Sequence, residues 1–195
     1  DGLLLAVALV WGSSYLVAKE LTNHAPIAGL LSLRFGSAAL LMFGIWAVGR
    51  ALGKRERFSK WDVRLGALYG LLVGSIMWIE TNSIHLTSAT NAGLIISLTI
   101  IFTPIIEGAW ERNWLPPVFF VAAVGGVVGV ALLVSAGGFA NLNLGDFIML
   151  GAAIIRAWTT TIQGRFAKGK TLSSFNVTVV QFAVIGIGYA LIARS

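Results

Sequence analysis

The sequence is short of cysteine, histidine and charged residues, and each shortage excludes a class of chemistry. It contains no cysteine, so it can form neither a disulfide framework nor a thiolate metal site. Its two histidines, His24 and His85, do not have the spacing of a metal site, and we therefore predict no metal and no cofactor. Only 11% of the residues are charged, whereas soluble domains average about a quarter. Water is therefore not the main solvent of this chain.

Apolar residues are correspondingly abundant. They make up 57% of the chain, and the mean hydropathy is +0.85. A helix that spans a membrane needs about 20 mostly apolar residues. The sequence therefore predicts an all-α, multi-pass transmembrane bundle. Seven stretches reach or nearly reach this length: 2–19, 26–49, 64–84, 90–110, 116–136, 146–166 and 174–193.

Lysine and arginine are concentrated in alternate connections between these stretches. The basic loops follow the second, fourth and sixth predicted helices, and one of them runs from Arg50 to Arg64. The opposite side has only Lys19 and the terminal Arg194. The positive-inside rule then predicts a cytoplasmic N-terminus. The net charge of +6 comes from few, localised residues, which favours contact with the lipid bilayer over nucleic-acid binding.

The chain also resembles itself in pattern at a distance of about 145 residues. "GLLLAVALVWGSSYLVAKEL" near the start matches "DFIMLGAAIIRAWTTTIQGRF", which begins at Asp146, and the match continues into the following helix. The pattern predicts a five-helix repeat over residues 1–136 and the first two helices of a second copy over 146–195. Because five is odd, the second copy must enter the membrane inverted. Inverted repeats are typical of transporters with a substrate site between the two halves.

Three segments carry a family resemblance. They are "WGSSYLVAK" in the first helix, "LRF" after Pro26 in the second, and "HLTSATNAGLIISLTIIFTPIIEGAWERNWL" across the fourth. In their order and spacing they resemble the EamA-type members of the drug/metabolite transporter superfamily. The resemblance implies ten helices in two inverted halves around a central cavity, of which seven are present here. It also implies transport of a small metabolite across the bacterial inner membrane, and many members export amino acids.

Polar side chains on the first and third helices are candidate cavity residues. Trp11, Ser14 and Tyr15 share one face because their spacing is i, i+3 and i+4. An indole, a hydroxyl and a phenol suit a ligand that needs stacking and a few hydrogen bonds. Alternatively, Ser14 and Tyr15 hold neighbouring helices together. Trp78 and Asn82 lie one turn apart and could line the same cavity, although Trp78 equally suits an interfacial anchor.

Ionisable residues at membrane depth are costly in hydrocarbon and therefore mark structural or functional sites. At about 1.5 Å per residue, Arg34 and Glu80 lie at similar depths, and we predict that they pair, locking or gating two helices. Arg156 lies near the middle of the sixth helix and shares a face with Thr160 and Gln163. It could bind a carboxylate or another anion of the substrate, or pair with Glu80.

Several small residues and one proline carry packing predictions. Repeats of glycine at every fourth position predict close helix packing around Gly66, Gly70 and Gly74 and around Gly125 and Gly129. Pro104 predicts a kink in the fourth helix because it lacks a backbone N–H. Asn91 near the start of that helix is either its N-cap or a cavity residue.

Together these patterns predict a secondary transporter that exports a small amphipathic metabolite by alternating access. Its partners would be the substrate, the bilayer and a coupling proton carried by Glu80. We do not predict an enzyme, because Glu80 and His85 lie on different helix faces and no nucleophile motif occurs. The alternative is a non-transporting membrane subunit, or a fragment that another chain completes.

Overall fold

A computed structural model describes residues 2–54, 57–134 and 143–194. The described residues form eight helices and no strand, which confirms the all-α prediction. The helices are α1 (Gly2–Thr22), α2 (Ile27–Ala51), α3 (Lys60–Leu86), α4 (Ala89–Ser97), α5 (Thr99–Glu111), α6 (Pro117–Val134), α7 (Leu144–Ala167) and α8 (Ser174–Ile192).

Seven predicted spans correspond to these eight helices because the fourth is interrupted at Leu98, between α4 and α5. Five spans in the described part of the chain are long and apolar enough to cross a membrane: α2, α3, α4 with α5, α6 and α8. The protein is therefore a multi-pass membrane protein. The first and sixth predicted spans are present as α1 and α7, helices of 21 and 24 residues.

The helices pack as two compact units. The first unit comprises Asp1–His24 and Ile79–Thr161, and the second comprises Ala25–Trp78 and Ile162–Ser195. The division passes through α3 and α7, so it does not follow the predicted repeat boundary between residues 136 and 146. The repeat itself stays a prediction.

The core of the first unit joins the end of α3 to α4 and α7. Ile84, Ala92, Ile95, Met149 and Ala152 form its buried apolar cluster. Two small residues, Ala92 and Ala152, allow this packing, and both are completely buried, as is the larger side chain of Met149.

A buried carboxylate ties three helix ends together in the same unit. Asp146, only 4% exposed, accepts hydrogen bonds from the hydroxyl of Thr87 and from Nδ2 of Asn91, the latter at 3.2 Å. It also forms a reciprocal capping pair with Asn143: each backbone N–H donates to the other side chain, at 3.0 and 3.1 Å. Ser88, rather than Asn91, caps α4 by accepting the backbone N–H of Asn91 at 3.0 Å. The amide of Asn91 instead helps to satisfy Asp146.

Glycines bring α3 and α8 into close contact in the second unit. A Cβ on Gly66 would lie 2.7 Å from Cβ of Val180, and one on Gly70 would lie 2.8 Å from Cβ of Val184. Close packing is thus confirmed at Gly66 and Gly70, whereas a Cβ on Gly74 would make only an ordinary contact, 3.6 Å from Cγ1 of Ile185. The order of these contacts shows that α3 and α8 run in the same direction. Gly186 makes a third close approach, because its Cβ would lie 2.8 Å from Cα of Gly36.

The packing predicted for Gly125 and Gly129 differs from the observed packing. A Cβ on Gly125 or Gly129 would meet no described atom within 4 Å, whereas one on Gly126 would lie 3.0 Å from Cδ1 of Ile101. The predicted glycine pair was therefore wrong, because helical spacing alone does not show which face meets a neighbour. Pro104 lies inside α5, six residues after the interruption at Leu98.

A second buried carboxylate organises the other unit. Asp62, 2% exposed, forms a reciprocal capping pair with Ser59 at the start of α3, with both distances 2.9 Å. It also accepts the backbone N–H of Ser173 at 3.1 Å and Nδ2 of Asn176 at 3.3 Å. One carboxylate therefore joins the starts of α3 and α8.

Candidate functional site

The first unit contains a half-open cavity of about 570 Å³ between α1, α4, α5 and one residue of α7. The walls are mostly apolar, and each of the four helices contributes at least one polar side chain. The lining residues are Gly12, Tyr15, Leu16, Ala89, Thr90, Gly93, Leu94, Ile96, Ser97, Thr99, Ile100 and Arg156. An apolar cleft with few polar groups is the usual form of a small-molecule site.

Small residues on α1 and α4 leave the space that the cavity occupies. A Cβ added to Gly12 or Gly93 would meet no described atom within 4 Å. Ala89, Gly93 and Ser97 follow one another at every fourth position and so line one face of α4. The sequence predictions did not include this face of α4, although the spacing of its small residues is a signal that the sequence contains.

The interruption between α4 and α5 lies in the cavity wall. The backbone N–H of Leu98 donates to the carbonyl of Ile95 at 3.1 Å, which is the tighter bonding of a 3₁₀ turn. Ser97 and Thr99, on either side of it, both line the cavity. The hydroxyl of Thr99 donates to the carbonyl of Ala153 at 3.3 Å and so attaches the start of α5 to α7.

A buried ion pair lies where α7 borders the cavity. Nε of Arg156 donates to Oε1 of Glu80 at 2.7 Å, and Nη2 lies 2.5 Å from the same oxygen. The side chains are 19% and 5% exposed, respectively. The N–H groups of Nη2 are not aligned with any acceptor among the described residues, despite the short distance. A charge buried in this way needs its partner, because an isolated one would be very costly.

Two of the predicted site residues therefore line the cavity, namely Tyr15 and Arg156. Ser14, Asn82 and Thr160 belong to the same unit but lie outside the lining residues. The exposed hydroxyl of Thr160 donates to the carbonyl of Arg156 at 2.9 Å, one helical turn back. The side chain of Trp11 lies outside the described part of the structure.

The other predicted site residues belong to the second unit. Trp78 stacks on Tyr189 with ring centres 5.7 Å apart and an angle of 15° between the planes. Gln163 lines another cavity, and its backbone carbonyl accepts the hydroxyl of Tyr69 at 2.9 Å. The guanidinium of Arg34 lies 5.7 Å from the ring centre of Phe35.

The ion pair corrects the order of the predicted partners of Glu80. Sequence reasoning named Arg34 first and Arg156 second, and in the described residues the carboxylate binds Arg156. Counting residues along a helix gives the depth of a side chain, but it does not show which helix faces it. The packing of α3 beside α7 supplies that information.

The sequence matches the EamA-like transporter family over residues 1–135. The chain belongs to this family. It is also 31% identical, over 158 residues, to an uncharacterized transporter of Archaeoglobus fulgidus. That match covers 77% of this chain and 44% of the archaeal protein, so the chain spans less than half the length of this relative. No solved structure matches the sequence.

Membership of the EamA-like transporter family confirms the resemblance predicted from the helix motifs. The matched residues include α1, α4 and α5, which supply all of the cavity lining except Arg156. The cavity of this EamA-like chain is thus built mainly by the part of the sequence that defines the family.

Proposed function

We propose that the protein acts in a secondary transporter that exports a small amphipathic metabolite, such as an amino acid, by alternating access. The observation that carries the proposal is the 570 Å³ cavity of the first unit, in a chain of a transporter family, with a buried ion pair at its wall. Transport sites commonly lie where interrupted helices line a cavity within the membrane.

The lining suggests the chemistry of the substrate. Leu16, Leu94 and Ile100 suit an apolar side chain, whereas Arg156 suits an anionic group. A guanidinium has five N–H donors, and Nε commits one of them to Glu80. A carboxylate on the substrate would accept hydrogen bonds from other N–H groups of Arg156. It would thereby compete with Glu80 for the positive charge of the guanidinium. Release of Glu80 would then allow it to carry a coupling proton.

The proposed placement is the cell membrane of a bacterium, with the N-terminus in the cytoplasm. The lysines and arginines of alternate connections support this orientation. The parallel run of α3 and α8 supports a chain that crosses the membrane at every span, because the third and seventh spans of such a path cross in the same direction. The same relation supports an inverted second repeat, in which α8 corresponds to α2 and runs opposite to it.

Transport by the complete translated protein tests this proposal. We expect proteoliposomes to accumulate a labelled amphipathic amino acid without altering it, and to do so faster with an imposed pH gradient. Arg156→Lys keeps the charge but loses the forked donor geometry, so we expect flux to fall by about tenfold or more, as for loss of a charged hydrogen bond. Chemical conversion of the substrate would contradict a transport function.

A double variant separates the role of the ion pair in folding from its role in transport. Glu80→Gln leaves Arg156 buried without its counter-charge and should cost about 3–5 kcal/mol of stability. Glu80→Leu combined with Arg156→Met removes both charges and should fold nearly as well as the wild type. If this folded double variant retains full flux, the pair is structural only and its proposed role in transport is wrong.

A further inference from the structure

A second polar cavity lies among α3, α7 and α8 in the second unit. Its volume is about 380 Å³. Its lining contributes five uncharged polar side chains and one lysine: Tyr69, Gln163, Ser174, Thr178, Gln181 and Lys170. The described lining contains no acidic residue. The cavity is therefore rich in hydrogen-bond donors and carries a positive charge, a combination that suits an anion.

One donor in this cavity has no acceptor within the described ranges of the chain. Nε2 of Gln163 is buried, and no described residue accepts a hydrogen bond from it. The backbone carbonyl of the same residue accepts the hydroxyl of Tyr69, which holds that turn of α7 against α3. A buried amide without an acceptor costs free energy, so it is expected to have a partner that the described residues do not supply.

A backbone carbonyl and an aromatic ring hold the lysine in place. Nζ of Lys170 donates to the carbonyl of Phe166 at 2.6 Å and lies 5.0 Å from the ring centre of Trp61. The guanidinium of Arg64 lies 5.7 Å from the same ring, which is 48% exposed. An exposed tryptophan flanked by basic residues at the ends of spanning helices is typical of the headgroup region of a bilayer.

We propose that this cavity binds the headgroup phosphate of an anionic phospholipid. Lys170 supplies the charge, the amide of Gln163 donates the unsatisfied hydrogen bond, and Gln181 adds a second amide. Basic pockets between spanning helices recognise anionic headgroups in this way. The proposal reassigns Gln163 from substrate to lipid, and it does not depend on the transport function.

Thermal unfolding of the complete, delipidated protein in detergent tests the site. We expect phosphatidylglycerol to raise the melting temperature more than phosphatidylcholine, whose phosphate is offset by its own choline. Lys170→Gln should reduce the phosphatidylglycerol shift to less than about half. Lys168→Gln is the matched control, because it removes the same charge from an exposed position outside the lining. Equal losses in both variants would mean nonspecific surface attraction and would overturn the proposal.

Two further measurements test the source of the phosphate and the role of Gln163. Glycerol 3-phosphate offers the same phosphate without acyl chains, and an equal shift at equal concentration would assign the cavity to a soluble phosphate ester instead. Gln163→Leu removes the unsatisfied amide, so we expect a higher melting temperature without lipid and a smaller phosphatidylglycerol shift. A lower lipid-free melting temperature with an unchanged lipid shift would refute the role of Gln163, even if Lys170→Gln does not fold.

Discussion

Single buried carboxylates set much of the local order in this protein. Asp62 and Asp146 each accept several hydrogen bonds from the ends of neighbouring helices, and Glu80 binds one guanidinium. Such groups are costly in a membrane protein unless they are fully paired. Asp62 and Asp146 therefore specify which helix ends can meet, and Glu80 specifies which side chain of α7 faces it, because another arrangement would leave a buried charge without partners.

Asp146 provides a test at the residue scale. We expect Asp146→Ala to lower the unfolding free energy by about 2–4 kcal/mol, because it leaves the hydroxyl of Thr87, the amide of Asn91 and the N–H of Asn143 without their acceptor. Asn143→Ala removes only one capping bond and should cost about 1 kcal/mol. Unfolding of both variants in detergent measures the difference, and equal losses would mean that Asp146 acts only as a cap.

At the scale of the elements, glycine decides how closely the helices of the second unit pack. The contacts of Gly66 and Gly70 with α8, and that of Gly186 with α2, bring helix backbones nearer than a methyl group would allow. Association of membrane helices depends on this fit, since lipid tails are as apolar as the side chains they replace.

Two alanine substitutions on α8 test this packing. A Cβ on Gly186 would lie 2.8 Å from both Cα and N of Gly36, and neither backbone atom can move aside. We expect Gly186→Ala to cost about 1–3 kcal/mol. Gly188→Ala is the matched control two residues away, where no described atom lies within 4 Å, and it should be neutral or stabilise by up to about 1 kcal/mol. The melting temperatures of the two variants measure this difference. Similar values would contradict close packing at Gly186.

At the scale of the whole molecule, the distribution of charge predicts the orientation in the membrane. The lysines and arginines of the 50–64 and 165–170 segments would face the cytoplasm, and the connection around His24 would face outward. Because these 195 residues contain no cysteine, an introduced thiol is the sole reactive thiol among them, and labelling of the purified protein reports its position.

We expect His24→Cys to react with a membrane-impermeant thiol reagent in intact cells. Lys168→Cys should react only after the cells are permeabilised. Both positions are exposed, so their reactivity reports the side of the membrane rather than burial. The reversed pattern would place the N-terminus outside and would contradict the predicted orientation.

Much of the helical organisation was predictable because it depends on residues close in sequence. The bounds of α2, α3, α7 and α8 lie within a few residues of the predicted spans, except that α3 begins earlier. The early start comes from the capping pair of Ser59 and Asp62, a local signal that the hydropathy pattern does not contain. The family resemblance was likewise carried by short motifs within single helices.

Composition and local pattern were thus enough to establish a multi-pass helical membrane protein of the EamA-like transporter family. Which side chains meet depended on the packed arrangement. The binding of Glu80 to Arg156, the contact of Gly186 with Gly36 and the α4 wall of the cavity each join residues far apart in sequence. Helical periodicity gives the depth and face of a residue along its own axis, whereas the neighbour it faces is set by how the helices rotate and pack together.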